Sequence, residues 1–175
     1  GATSSVAVRA GIGWPLESKP LVSSPLQRCA QLAQSLAQAM QRPAPDIDPR
    51  LQEMDFGKWE LRPWDDIPWA EVEAWNADLA HYAPGGGETL TEVASRMWLA
   101  FNDLLATPAE GVIVICHAGT IRMLHACAAW RAGQGATARP DAAALSDIAL
   151  RAAAHRAEIP HARLLALDVS VSPKR

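Results

Sequence analysis

The chain has 175 residues, 49% of them hydrophobic, which is enough for one well-packed core and short for two. Its formal net charge of −3 comes with scattered rather than clustered Lys and Arg, so nucleic acid is excluded as an expected partner and any anionic ligand needs a local pocket. Three cysteines at no metal-ligand spacing, Cys29, Cys116 and Cys127, argue against a disulfide framework or zinc site, and no apolar run approaches the roughly 18 residues of a membrane span, so a cytoplasmic protein with no membrane partner is expected.

After a Gly/Pro-rich lead to Pro20, Leu21 and Val22 predict a short strand and Ser23-Ser24-Pro25 a polar loop. Leu26 to Met40, with Leu32, Leu36 and Met40 at helical spacing, predicts an amphipathic helix. Gln41 to Pro49 holds three prolines and cannot continue it. The loop-rich region that opens at Arg50 is dense in tryptophan; Trp59, Trp64, Trp69 and Trp75 are read as cover for a small core over a helical insertion around residues 59–83, in preference to an aromatic ligand platform. Pro84-Gly85-Gly86-Gly87 predicts a flexible turn, and Thr89 with Glu92 a capping box opening a helix to about Leu105. The triple glycine lacks the Lys-Ser/Thr of a P-loop and the spacing of a dinucleotide fingerprint.

Val112-Ile113-Val114-Ile115 runs into Cys116-His117-Ala118-Gly119-Thr120, the pattern of a buried parallel strand ending at a helix N-terminus. Open α/β folds place anions and chemistry there. Beyond Arg122 a helix to about Trp130, a loop over Gly133 to Pro140, a weak helix over Ala142 to Ala157 and a last strand over Leu164 to Val169 complete a single α/β domain.

Two nucleophile readings arise from that one segment. His117 beside free backbone N–H groups can hold a phosphate, while Cys116 and Arg122 satisfy the Cys-x5-Arg spacing of cysteine phosphatases. A phosphomonoesterase without metal or cofactor also needs a fixed cation and an acid for the leaving alkoxide. Arg28, in the first turn of its helix, can grip a phosphate bidentately. Glu53, among apolar neighbours, is the candidate acid, with Asp55 and Glu60 as competitors.

The ordered series Ser23-Ser24-Pro25-Leu26-Gln27-Arg28, Leu51-x-Glu53-x-x-Phe56-Gly57-x-Trp59-Glu60, Gly86-Gly87-Glu88-Thr89 and His117-x-Gly119-Thr120-Ile121-Arg122 resembles the histidine phosphatase (phosphoglycerate mutase-like) superfamily. Its Trp-rich form is most similar to the α-ribazole phosphatases of cobalamin synthesis and their bacterial relatives. The resemblance implies a three-layer α/β/α fold with a mostly parallel central sheet. It implies that His117 flanks the transferred phosphoryl group, that Arg28 binds it beside the Ala118 turn, and that Glu53 donates the proton.

The superfamily's nucleophile lies in an Arg-His-Gly block near the N-terminus, whereas this chain begins with Gly1 and has no histidine before His81. The expectation is a sequence lacking its first strand and catalytic loop, with a true pseudoenzyme as the second possibility. The function expected is metal-independent hydrolysis of a small phosphorylated metabolite. A noncatalytic phospholigand-binding module is the alternative, and a Cys116-based phosphatase the third.

Overall fold

The computed structural model describes residues 5–6 and 18–155, together with the single residues 159, 167 and 169. Two units can be distinguished: one holds Gly1–Glu53, Leu99–Ile121 and Ala157–Val169, the other Met54–Trp98, Arg122–Arg156 and Ser170–Arg175.

The first unit is built on the apolar run identified in the sequence. Its four described strands are β1 (Ser5–Val6), β2 (Leu21–Ser23), β3 (Asp46–Ile47) and β4 (Ile113–Cys116), in the spatial order β1-β4-β2-β3. β2 pairs in parallel with β4 (Leu21 opposite Ile113, Ser23 opposite Ile115) and with β3, whereas β1 runs antiparallel on β4. The sheet is therefore mainly parallel and the α/β class stands. β3 was not legible among the prolines of Gln41 to Pro49; it is two residues long and at the sheet edge, where neighbouring prolines break no ladder.

Helix α1 (Gln27–Ala39) packs on this sheet through Cys29, Ala33 and Ala37, one face at a spacing of four, with Leu32 and Leu36 flanking. Small residues on the contact stripe let the helix approach Leu21, Ile113 and Ile115, each almost fully withdrawn from water. Full burial of such a side chain stabilises by roughly 1.5–3 kcal/mol. On the other side of β3, Asp48 caps a 3-10 turn over Pro49–Leu51 by accepting the Arg50 N–H at 2.9 Å. The Arg50 guanidinium returns to Asp48 at 2.7 Å and reaches Asp103 at 2.7 Å, while Leu51 is fully buried. That anchored turn carries Glu53.

In the second unit, Phe56, Trp59, Trp64 and Trp75 form one aromatic cluster, with Trp59 and Trp75 edge to face at 5.8 Å and Trp64 stacked on Trp75 at 6.4 Å. Trp59 is buried and donates its indole N–H to Glu71 of helix α2 (Trp69–Ala77) at 2.7 Å. The core-cover reading holds for Trp59 and is corrected for Trp64 and Trp69, which keep 62% and 69% of their surface exposed.

The Gly85–Gly87 turn is a close crossing of two backbones. A Cβ on Gly85 (φ +62°) would sit 2.2 Å from the Phe56 carbonyl oxygen, and one on Gly87 would sit 2.1 Å from that of Asp55. Glycine is dictated there by contact as much as by dihedral angle. Glu88 fastens the same crossing: it accepts from the Asp55 N–H at 3.0 Å and from Arg96 at 2.7 Å. Burial pushes the Glu88 carboxyl up, but the Arg96 guanidinium and the Asp55 N–H together outweigh it and hold it below its ordinary value.

Helix α3 (Leu90–Ala106) begins at the expected capping box, with Glu92 accepting the Thr89 N–H at 2.8 Å and Thr89 Oγ1 accepting the Glu92 N–H at 3.1 Å. Helix α4 (Ala118–Gln134) runs past the expected end at Trp130, where Trp98 packs edge to face on Trp130 and stacks under Arg131. Helix α5 (Ala142–Ala154) is capped by Asp141. The strand expected over residues 164–169 lies, for the most part, outside the described residues. Among the described residues no helix is long and apolar enough to cross a membrane.

Gly85→Ala should lower unfolding free energy by about 3 kcal/mol or more, because a strained φ is compounded by backbone overlap. Gly86→Ala, at φ +75° but with open space around its Cβ, should cost only about 1–2 kcal/mol. Denaturant unfolding of both variants checks this; equal losses would mean that the crossing is not tight. Arg50 holds the Asp48 carboxyl below its ordinary 3.8 through their hydrogen bond. Its stabilisation is then complete above about pH 4 and drains as pH falls through the depressed value. The stability gap between the native chain and Asp48→Asn should narrow correspondingly below pH 4 in acid unfolding curves.

Candidate functional site

The parallel register of β2 with β4 brings their carboxyl ends side by side, and each strand is followed at once by a polar residue. Ser24 follows β2 and His117 follows β4; Ser24 Oγ lies 2.8 Å from His117 Nε2, across 93 positions of sequence. Both are buried, Ser24 completely. Side-chain alternation places the ring, since Ile113 and Ile115 face α1 and the next position on that side is 117, while Ser24, just past the end of β2, is held beside it by its N–H on the Ile115 carbonyl at 2.9 Å.

Helix α1 supplies the rest of the ring's surroundings. The Arg28 Nε–H donates to His117 Nδ1 at 3.2 Å, and Cys29 Sγ lies 3.5 Å from Nε2. Arg28 is otherwise exposed on the helix surface. Thr120 fixes the backbone, its Oγ1 accepting the His117 N–H at 3.0 Å and donating to the His117 carbonyl at 3.0 Å. Ala118 opens α4, so its N–H is one of the first-turn donors that a helix leaves unmatched, at the positive end of the dipole.

Glu53 arrives from the anchored turn. Its Oε2 accepts the Gly119 N–H at 3.3 Å, and a Cβ on Gly119 would come within 2.4 Å of Oε1. Glycine at 119 is thus what lets a carboxylate reach the start of α4. The two competing acids are occupied elsewhere: Asp55 accepts from the Gly57 N–H at 2.7 Å, and Glu60 from the Phe56 N–H at 3.1 Å.

All four residues singled out from the sequence, His117, Glu53, Arg28 and Ala118, therefore lie in the first unit within one short chain of contacts. Sequence reasoning did not single out Ser24, Cys29 or Thr120. Ser24 stands in the Ser23-Ser24-Pro25 loop, but only the pairing of β2 with β4 shows that its hydroxyl meets an imidazole.

The cysteine reading is corrected. Cys116 is one position out of phase with Ile113, Ile115 and His117, so its side chain leaves the opposite face of the sheet from α1. Burial pushes its thiol up to about 12, with Thr120 only partly opposing, so the nucleophilic thiolate is not available near neutral pH. Among the described residues, no group of three or more His, Cys, Asp or Glu side chains is arranged to hold a metal ion.

The probable phosphoglycerate mutase GpmB of Proteus mirabilis is 40% identical over 92 residues, covering 50% of this chain and 42% of that protein. Its Yersinia pestis (strain Pestoides F) counterpart is 34% identical over 93 residues, again 42% of that protein, so the chain spans less than half the length of these relatives. Among solved structures, the α-ribazole phosphatase from Shigella flexneri superposes with a TM-score of 0.55 at 29% identity, over 63% of this chain and 56% of that one. A mycobacterial glucosyl-3-phosphoglycerate phosphatase with inorganic phosphate gives 0.55 at 27%, over 64% and 59%. The family model of the histidine phosphatase superfamily, branch 1, matches residues 13–159. With that match covering most of its length, the chain belongs to the histidine phosphatase superfamily.

Proposed function

We propose that this chain carries the phosphate clamp, the acid and the second histidine of a metal-independent phosphomonoester hydrolase acting on a small phosphorylated metabolite, with α-ribazole phosphate as the specific candidate. The observation that carries this reading is the Arg28–His117 contact at the N-terminus of α4 with the Glu53 carboxylate on the same turn. A fixed cation, an imidazole, unmatched N–H donors and a carboxylate meet, which is the set a phosphoryl group and a departing alkoxide require. The α-ribazole candidate is supported by the solved phosphatase from Shigella flexneri.

The roles follow from the chemistry of each group. The exposed Arg28 guanidinium neutralises the non-bridging oxygens, the α4 N-terminus with Ala118 adds N–H donors, and His117 flanks the group in transfer. Glu53 protonates the leaving oxygen. The phosphoryl acceptor of the superfamily, an Arg-His-Gly histidine, is not among these 175 residues. The alternative reading is a phospholigand-binding module that holds the ester without turning it over.

Turnover of p-nitrophenyl phosphate by the 175-residue chain, without added metal, would favour the hydrolase and would require a phosphoryl acceptor among these residues. Binding of inorganic phosphate without turnover would support the clamp; absence of binding to folded protein would sink both readings. Arg28→Ala should weaken phosphate binding by about tenfold or more in calorimetry, the loss of a charge-assisted contact, whereas Cys116→Ser should leave it unchanged. Loss of binding in Cys116→Ser would restore the cysteine reading. Where hydrolysis occurs, Glu53→Gln should slow alkyl phosphates far more than p-nitrophenyl phosphate, whose leaving group needs little protonation; equal slowing would remove Glu53 from the acid role.

A further inference from the structure

The ring of His117 is addressed at both nitrogens, and the two partners are chemically unequal. The guanidinium of Arg28 holds no hydrogen-bond acceptor, so its Nε–H can only donate. With that N–H directed at Nδ1 over 3.2 Å, Nδ1 must present its lone pair. The ring's proton then sits on Nε2, 2.8 Å from Ser24 Oγ. The Ser24 hydroxyl oxygen also receives the Leu26 N–H at 3.3 Å, which suits it to the acceptor role toward the ring.

From this geometry we infer that Ser24 is the positioning residue for His117: it holds Nε2–H, making Nδ1 the working nitrogen that an oxyanion meets. The inference rests on the reading of this site as a phosphate clamp. When an oxyanion draws the exposed Arg28 guanidinium to itself, Nδ1 would face it lone pair to lone pair. One proton from solvent on Nδ1 turns that repulsion into an N–H···O⁻ hydrogen bond and leaves the Ser24 contact intact. Anion binding is then accompanied by uptake of one proton, and the imidazolium so formed carries one N–H to the anion and one to Ser24.

The other described titratable groups about the ring do not supply this distinction. Cys29 Sγ stands 3.5 Å from Nε2 and 3.8 Å from Nδ1, so it does not favour either nitrogen strongly, and it is a weak hydrogen-bonding group. Glu53 is held on the Gly119 N–H, and the Cys116 thiol leaves the opposite face of the strand. The Thr120 bonds hold the His117 backbone and do not bear on the choice of ring nitrogen.

The test is long-range ¹H–¹⁵N spectroscopy of the full chain labelled at histidine, with His117 among the five histidines assigned through His117→Gln. At pH near 8 the His117 signals should report the Nε2–H form. Adding inorganic phosphate should move Nδ1 to the protonated position and leave Nε2 nearly still. Ser24→Ala should mix the two tautomers and weaken phosphate binding by roughly threefold to tenfold, the scale of one lost hydrogen bond, with recovery in Ser24→Thr. An Nδ1–H form in the native chain, or native spectra in Ser24→Ala, would overturn the inference. An intact Nε2–H form with no phosphate response would uphold Ser24's role and instead refute the phosphate clamp.

Discussion

Everything at the site depends on the parallel pairing of β2 with β4 in a single register. Ser23 opposite Ile115 leaves the next residues of the two strands, Ser24 and then His117, a hydrogen bond apart at the carboxyl edge of the sheet. A slip by one residue would send the imidazole to the other face and put Cys116 beside α1 instead. What protects the register is apolar: Leu21, Ile113 and Ile115 all lose their burial against Cys29, Ala33 and Ala37 if the strand turns over. The polar meeting is thus enforced by a hydrophobic one, and the chemistry inherits the precision of the core.

Much of this was legible in the sequence because the signals were local. The unbroken β-branched run into Cys116-His117, the Thr89/Glu92 box and the Arg28 position at the start of a helix all depend on near neighbours, and they reappear as β4, the α3 cap and the first turn of α1. The misses share the opposite property. β3 is two residues whose strand character comes from pairing with β2, Trp64 and Trp69 are exposed by a tertiary arrangement that aromatic content cannot foretell, and Ser24 acquires its partner from 93 positions away. The case against a Cys116 nucleophile rests on something that a spacing rule cannot contain. A Cys-x5-Arg count has no information on which face of a strand the thiol leaves, or on how dry that face is.

Glycine has two different jobs in this chain, and only one concerns dihedral angles. At Gly119 the constraint is the Glu53 carboxylate pressed against the first turn of α4, so the absence of a side chain is what brings an acid to a helix N-terminus. That position also explains why the segment from Asp48 is so heavily fastened. The Asp48 cap, the Arg50 fork to Asp48 and Asp103 and the buried Leu51 leave Glu53 little freedom to retreat. A carboxylate held by packing and capping two to five residues away keeps its place without a rigid strand beneath it.

The crossing of Gly57, Gly85 and Gly87 makes a closed ring of the residues between them, because the two ends of that stretch touch backbone to backbone. Closure entropy rises only slowly with the length of a loop whose ends are already pinned, by about 0.6 kcal/mol per doubling. The stretch carrying Trp64, Trp69 and α2 is therefore open to exchange: it can lengthen, shorten or change its chemistry while its two points of departure stay where the glycines clasp them.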